Sequence, residues 1–172
     1  REGGCCPKGM RVVVLGAGGA ARGVVYALAK AEANSVIVFN RTAERAAFLV
    51  DDLADTFPDS RLGFEALTEE ALGALGDAVD LVVNTTSVGM YPQTDRCPWP
   101  DNVPGPGNAW FYDLVYNPLE TTFLARSRSA GAKAIDGLGM LVHQVVLCIK
   151  YWTCEDVESA PLRDRVMKVL GM

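Results

Sequence analysis

Small residues at positions 16–21 form the pattern that points most directly to chemistry. The sequence there is GAGGAA, in which Gly16, Gly18 and Ala21 follow an apolar run in a G-x-G-x-x-A spacing. Between a strand and a helix, the first glycine permits a tight turn and the second lets the backbone approach a pyrophosphate, while the third small residue lets helix and strand pack closely. N–H groups at the start of the helix would bind the anion at the favourable end of the helix dipole.

This spacing predicts dinucleotide binding, because an apolar strand precedes it and a helix and a second apolar strand follow it. Helix–sheet packing without a ligand is the alternative interpretation, since glycine and alanine also serve that purpose. The residues expected to surround the pyrophosphate are Gly16, Ala17, Gly18, Gly19 and Ala20.

The segment 40–45 carries residues suited to the adenosine end of a dinucleotide. NAD-binding folds place an acidic residue there, about 20 positions after the glycines, to bond the ribose hydroxyls. This chain has Asn40 instead, followed by Arg41, Thr42 and Arg45. Guanidinium groups bind a 2′-phosphate that a carboxylate would repel, so the segment favours NADP. The alternative is two solvated arginines near a helix start, where cations cost about 0.3–1 kcal/mol, with the Thr42 hydroxyl serving as the helix cap.

The surrounding chain alternates apolar runs with helical patterns. Runs that are apolar on both faces call for a parallel sheet covered by helices on each side, and right-handed crossovers then favour a doubly wound topology. We predict one Rossmann-type α/β domain over residues 1–172, with a mostly parallel six-stranded sheet, helices on both faces and additional C-terminal helices. Strands are predicted at 11–15, 36–39, 62–65, 80–84, 110–114 and 133–135, and helices after the glycine loop to about residue 31, then at 42–57, 69–75, 121–130, 138–152 and 157–170.

Composition excludes several classes of function. The 172 residues are 49% hydrophobic and 22% charged, which suits one globular domain with a real core. The net charge of −5 gives no general attraction to nucleic acid. The apolar runs are shorter than the roughly 20 residues that a membrane helix needs. Five cysteines without a C-x-x-C pair predict free thiols in a reducing cytoplasm and no metal site.

Three further segments, added to the two motifs above, give the chain a resemblance to a known family. They are NTTSVGM at 84–90, YDLVYNP at 112–118 and DGLGMLVHQ at 136–144. The first segment begins an unusually long loop, 85–108. Loops of this length are uncommon in compact domains and are usually functional or disordered. Together these motifs resemble shikimate dehydrogenases over nearly the whole chain.

The resemblance implies a role for individual residues. Thr85, Ser87, Met90 and Met140 would lie beside the cofactor, although packing is the alternative role for the two methionines. Leu114 and Gly137 would approach the nicotinamide. Tyr116 and Gln144 would reach a hydroxylated substrate ring. The sole histidine, His143, is expected to have a structural or surface role. The reaction implied is the reversible reduction of 3-dehydroshikimate to shikimate with NADPH.

One departure from the family concerns catalysis. Its proton-transferring Lys and Asp belong to an amino-terminal substrate domain, and no lysine of this chain falls in a matching motif. We therefore assign no catalytic residue and expect a fragment that binds NADP without turnover. Segment 153–172, with an apolar face of Val157, Leu162, Val166, Val169 and Leu170, is expected to pack on the missing domain or to form a homodimer. The alternatives are a quinate/shikimate dehydrogenase with relaxed NAD/NADP use and a non-catalytic nucleotide sensor.

Overall fold

In the computed structural model, which describes residues 4–170, six strands form a single sheet. Every neighbouring pair of strands is parallel, in the order β3-β2-β1-β4-β5-β6. This order is the doubly wound one, with its topological switch point between β1 and β4. The predicted fold is confirmed, and the sheet is wholly parallel. The strands are β1 (Arg11–Leu15), β2 (Ser35–Asn40), β3 (Leu62–Ala66), β4 (Leu81–Asn84), β5 (Trp110–Asp113) and β6 (Lys133–Ile135).

The sheet is covered by helices that form a separate apolar cluster on each face. On one face, α1 and α2 pack through residues such as Val25 and Leu49 against Val12 and Val14 of β1. On the other face, α3 and α4 pack against Val13 and the neighbouring strands. The alternation of buried side chains along β1 supplies both cores, because successive strand residues point to opposite faces. The helices are α1 (Gly19–Lys30), α2 (Ala43–Ala54), α3 (Glu69–Gly73), α4 (Thr122–Ser129), α5 (Leu138–Thr153) and α6 (Ser159–Val169).

The two C-terminal helices are packed far less completely than the others. α5 packs against α6, yet α5 buries only Leu138 and Val142 and α6 buries no residue. The expected helix 157–170 is shorter in the structure, because Val157 precedes α6 and Leu170 is its C-cap residue, and the apolar side chain of Val169 is 72% exposed. Although α5 is the longest helix, none within residues 4–170 has both the length and the apolar character that crossing a membrane requires.

An apolar groove of about 1320 Å³ separates α5 from α1 and from strands β4–β6. Its rim carries Leu147, Tyr151 and Trp152 of α5, which are 65%, 87% and 77% exposed. Exposed apolar area of this kind marks an interaction surface more often than a free surface. We call this region the α5 groove.

Candidate functional site

The predicted cofactor residues occupy the loops that follow β1, β2, β4 and β5, and the N-terminal end of α5 that follows β6. Because all six strands are parallel, their carboxyl ends meet at one edge of the sheet. Ligands of open α/β sheets bind at this edge, next to the switch point. The fold therefore brings segments that are far apart in sequence to one side of the molecule.

The glycine loop makes the first close contact of the site. Gly16 has a φ of 103°, and its N–H donates a hydrogen bond of 2.8 Å to the Phe39 carbonyl. A Cβ atom at Gly16 would lie 2.9 Å from both the Thr85 Oγ1 and the Thr86 Cγ2. Both the backbone conformation and the space therefore require glycine at this position.

The start of α1 presents free backbone donors to solvent. Gly18 is the N-cap residue and has no side chain to satisfy the first N–H groups of the helix, and the first turn contains no acidic residue. Gly18, Gly19 and Ala20 are exposed, whereas Ala21 is fully buried against the sheet. This arrangement leaves unpaired N–H groups and the positive end of the helix dipole available to an anion.

The loop after β2 keeps its cationic groups unpaired. The Asn40 Nδ2 donates to the Thr42 carbonyl at 2.8 Å, which holds the turn between β2 and α2. Arg41 and Arg45 are exposed and form no ion pair with any other residue between 4 and 170. Arg22, by contrast, pairs with the carboxylate of Asp52. The two free guanidinium groups could bind a phosphate without first breaking an internal contact.

Thr42 is the N-cap residue of α2, but its side chain accepts no hydrogen bond from the helix. Of the two roles that the sequence left open for its hydroxyl, the helix cap is therefore wrong. The physical reason lies in the backbone: ψ is 99° at Thr42, compared with 157° and 159° at Thr68 and Thr121, whose side chains do cap their helices. The Thr42 hydroxyl is left beside the two free arginines.

The loop after β4 lies against the glycine loop. Thr85 donates from both its N–H and its Oγ1 to the Leu15 carbonyl, at 2.9 and 2.7 Å. Ser87 is exposed, and its carbonyl accepts a hydrogen bond of 3.2 Å from the N–H of Met90, which is 39% exposed. Thr85 thus connects the two loops at the switch point, and Ser87 and Met90 remain accessible.

The segment after β5 packs directly on the start of α5. Gly137 is buried and donates from its N–H to the Val115 carbonyl at 3.3 Å. A Cβ atom at Gly137 would lie 2.7 Å from that carbonyl oxygen and closer still to the Leu114 carbonyl. The structure therefore brings Leu114 and Gly137 together, as expected for two residues that share one part of a site.

A buried polar cluster, which sequence reasoning did not identify, lies beneath these loops. Asp113, Asn84 and Thr121 are at most 1% exposed. Asp113 accepts hydrogen bonds from the Asn84 Nδ2, the Val115 N–H and the Thr121 Oγ1, at 2.8, 3.0 and 2.7 Å. Burial raises the pKa of Asp113, and these three hydrogen bonds oppose that rise. The available signal was a polar residue at the end of each of two apolar strands.

The predicted substrate residues are not brought together in the same way. Tyr116 is half-buried in the segment after β5, whereas Gln144 is exposed on α5. Gln144, Met140 and His143 line the α5 groove, and no residue of the glycine loop does. The roles of Tyr116 and Gln144, like those of the predicted cofactor residues, stay predictions.

Comparison with known sequences identifies similar proteins among the shikimate dehydrogenases. A sequence model of the family described as "Shikimate / quinate 5-dehydrogenase" matches residues 5–90. A protein of Moorella thermoacetica named shikimate dehydrogenase (NADP(+)) is 45% identical over 97% of this chain and 56% of its own length. The chain thus spans about 56% of the length of this relative.

Solved structures are similar over nearly the whole chain. Shikimate 5-dehydrogenase of Thermus thermophilus, in complex with NADP(H) and shikimate, is 34% identical with a TM-score of 0.75, over 95% of this chain and 56% of its own. Quinate dehydrogenase of Corynebacterium glutamicum, in complex with NAD, is 27% identical with a TM-score of 0.83, over 94% of this chain and 56% of its own. Both structures are longer than this chain by a similar margin.

Gly137→Ala tests the close packing of Gly137 on the segment after β5. We expect the free energy of unfolding to fall by about 1–3 kcal/mol, because the new methyl group overlaps two backbone carbonyls. Urea denaturation measures the effect. The matched control is Gly107→Ala, where a Cβ meets nothing within 4 Å. Equal stability of the two variants would contradict the described packing.

Proposed function

The chain belongs to the shikimate/quinate 5-dehydrogenase family, and on that premise we propose that it is the NADP-binding domain of a shikimate dehydrogenase. The whole protein would reversibly reduce 3-dehydroshikimate to shikimate with NADPH. The observation that carries the choice of NADP is that Arg41 and Arg45, after β2, form no ion pair within residues 4–170. Asn40 stands there in place of the acidic residue of NAD-binding folds. The names of the Moorella and Thermus proteins support the same cofactor.

The pyrophosphate would be held by backbone groups at the start of α1. Residues 17–20 offer free N–H donors, whereas the Gly16 N–H bonds the Phe39 carbonyl, and the buried methyl group of Ala21 lets α1 begin close to β1. The protein has a net charge of −5, so attraction to the cofactor has to come from this local geometry. Arg41, Arg45 and the Thr42 hydroxyl would bind the 2′-phosphate, with charge-assisted hydrogen bonds from the two guanidinium groups.

The nicotinamide end would lie between the loop after β4 and the contact of Leu114 with Gly137. Thr85 fixes the base of that loop, and Ser87 and Met90 are exposed on it. When bound, NADPH supplies the hydride, and the residues of this chain bind and orient the cofactor. Met140, near the start of α5, would be at the same end.

Substrate contacts and proton transfer would come largely from outside residues 1–172. We propose that Tyr116 and Gln144 reach the hydroxylated ring, and that a lysine and an aspartate of a further domain transfer the proton. The share of the relative's length that the chain spans, 56%, supports such a domain. The exposed side chains of α5 and the lack of buried residues on α6 support packing of segment 153–172 against it.

The cysteines bear on the compartment in which the protein works. None of the five cysteines forms a disulfide. Burial raises the pKa of the Cys5 and Cys97 thiols, which keeps both of them protonated. Free thiols are typical of a reducing compartment, and we propose the cytoplasm on this basis.

A quinate/shikimate dehydrogenase with relaxed cofactor use is the second candidate. The similarity to a quinate dehydrogenase in complex with NAD favours it. The unpaired arginines argue against equal use of NAD, because they offer a phosphate site that NAD does not fill. A non-catalytic nucleotide sensor is a further alternative. It is disfavoured by Gln144, which matches a substrate-binding position of the family.

The cofactor preference is tested by Arg41→Asp. We expect NADPH affinity to fall about tenfold or more, because a charge-assisted contact becomes a repulsion. Affinity for NADH should rise, since a carboxylate can bond the ribose hydroxyls. Calorimetric titration of both nucleotides measures this. Arg165→Asp, with the same charge change on the exposed side of α6, is the control, and an unchanged preference in Arg41→Asp would refute the assignment.

Turnover by the isolated chain is a separate property from cofactor binding. The purified chain should bind NADPH and yet reduce 3-dehydroshikimate negligibly, because general acid–base groups contribute about 10²–10⁴-fold and none is assigned within residues 1–172. Loss of NADPH absorbance measures the rate, and a binding titration on the same sample shows that the protein is folded. Robust reduction by this chain would contradict the prediction.

The exposed apolar side chains beside the α5 groove should promote contacts between copies of the chain. We expect the isolated chain to self-associate with rising concentration in size-exclusion chromatography, and Trp152→Glu to shift it towards the monomer. Phe48→Glu on α2 is the control, because Phe48 is also exposed, at 75%, but lies away from the α5 groove. A wild-type monomer at every concentration would contradict self-association through this surface.

A further inference from the structure

The most deeply buried carboxylate of the site is that of Asp113, at the end of β5. It is 0% exposed, and within residues 4–170 no cationic side chain forms an ion pair with it. Burying a charge in this way is costly unless hydrogen bonds compensate it. Packing of the core does not explain an aspartate at position 113, because an apolar residue would fill this position without the cost of burying a charge.

Each hydrogen bond to Asp113 comes from a different segment of the site. The Asn84 Nδ2 and the Val115 N–H both donate to Oδ1, at 2.8 and 3.0 Å. The Thr121 hydroxyl donates to Oδ2 at 2.7 Å and accepts from the Leu124 N–H at 3.3 Å, as the cap of α4. One carboxylate therefore joins the end of β4, the segment after β5 and the start of α4.

The connection through Asn84 extends into the loop after β4. The Asn84 Oδ1 accepts hydrogen bonds from the N–H and the Oγ1 of Thr86, at 3.0 and 2.7 Å. The Thr86 Oγ1 in turn accepts from the Val88 N–H at 3.2 Å. This chain of contacts ends two residues before Met90, on the loop proposed to border the nicotinamide.

The connection through Val115 extends to the opposite side of the proposed nicotinamide site. Leu114 lies between Asp113 and Val115, and its N–H donates to the Asn84 carbonyl at 3.0 Å. Gly137 packs on the carbonyls of Leu114 and Val115. Both segments that would border the nicotinamide are thus attached to the same carboxylate.

We infer that Asp113 is a positioning residue for the nicotinamide half of the cofactor: through Asn84 and Val115 it sets the distance between the loop 85–90 and the segment 114–116. This inference rests on the proposed function and names the group that holds the cofactor-binding loops in register. Asp113 touches neither the cofactor nor the substrate in this role.

The negative charge of Asp113 is central to this role. All three neighbours donate to it, and hydrogen bonds to a charged acceptor are roughly twice as strong as neutral ones. An asparagine has nearly the same size, but its amide NH₂ would face at least one of these donors. Asp113→Asn therefore changes hydrogen bonding with little change in volume.

The test compares two ligands that occupy different parts of the proposed site. NADPH spans both ends, whereas adenosine 2′,5′-bisphosphate has the 2′-phosphate but no nicotinamide. In Asp113→Asn we expect NADPH affinity to fall about tenfold or more, while adenosine 2′,5′-bisphosphate affinity stays within about twofold of wild type. Calorimetry measures both, and the fluorescence of bound reduced nicotinamide reports its environment separately.

A second pair of variants keeps the test decisive if Asp113→Asn does not fold. Thr121→Val removes one hydrogen-bond donor to Asp113 and should weaken the binding of NADPH more than that of adenosine 2′,5′-bisphosphate. Thr121→Ser retains the hydroxyl and should bind NADPH as the wild type does. Equal losses for both ligands, or no loss for either, would overturn the positioning role. A wild-type chain that binds neither ligand would instead overturn the proposed function, and this inference with it.

Discussion

Close packing of backbone at the switch point between β1 and β4 is the constraint on which the site depends. Gly16 has a left-handed backbone conformation and lies against the Thr85 and Thr86 side chains, while the Thr85 hydroxyl bonds back to the carbonyl of Leu15. A side chain at position 16 would push these two loops apart. Because α1 begins directly after this contact, the contact also determines where its free N–H groups lie.

An acidic protein can bind a polyanionic cofactor because binding depends on local donors. Two different interactions would bind the phosphates of the cofactor. Backbone N–H groups at the start of α1 would bind the pyrophosphate, and the guanidinium groups of Arg41 and Arg45 would bind the 2′-phosphate. A third device, the buried carboxylate of Asp113, shapes the nicotinamide end without contacting an anion. This carboxylate is fully buried beneath the loops.

Features encoded by local pattern could be predicted from the sequence. The apolar runs indicated the sheet topology, because parallel strands and right-handed crossovers leave few alternatives, and the G-x-G-x-x-A spacing located the turn at Gly16. Features that depend on distant partners could not be predicted. The role of Asp113 arises from contacts with Asn84 and Thr121, 29 and 8 residues away. Whether the Thr42 hydroxyl caps α2 could not be decided from the sequence, because the cap depends on a backbone angle that residue type does not specify.

We place the dinucleotide at the carboxyl edge of the sheet and not in the α5 groove, the apolar cavity beside α5. Titration of the isotope-labelled chain with NADP⁺, followed by amide NMR shifts, tests this most directly. We expect saturable shifts at residues 16–20 and 41–45 and in the loops after β4 and β5, with smaller effects at Leu147, Tyr151 and Trp152. Shifts confined to the α5 groove, with the glycine loop unchanged, would contradict it.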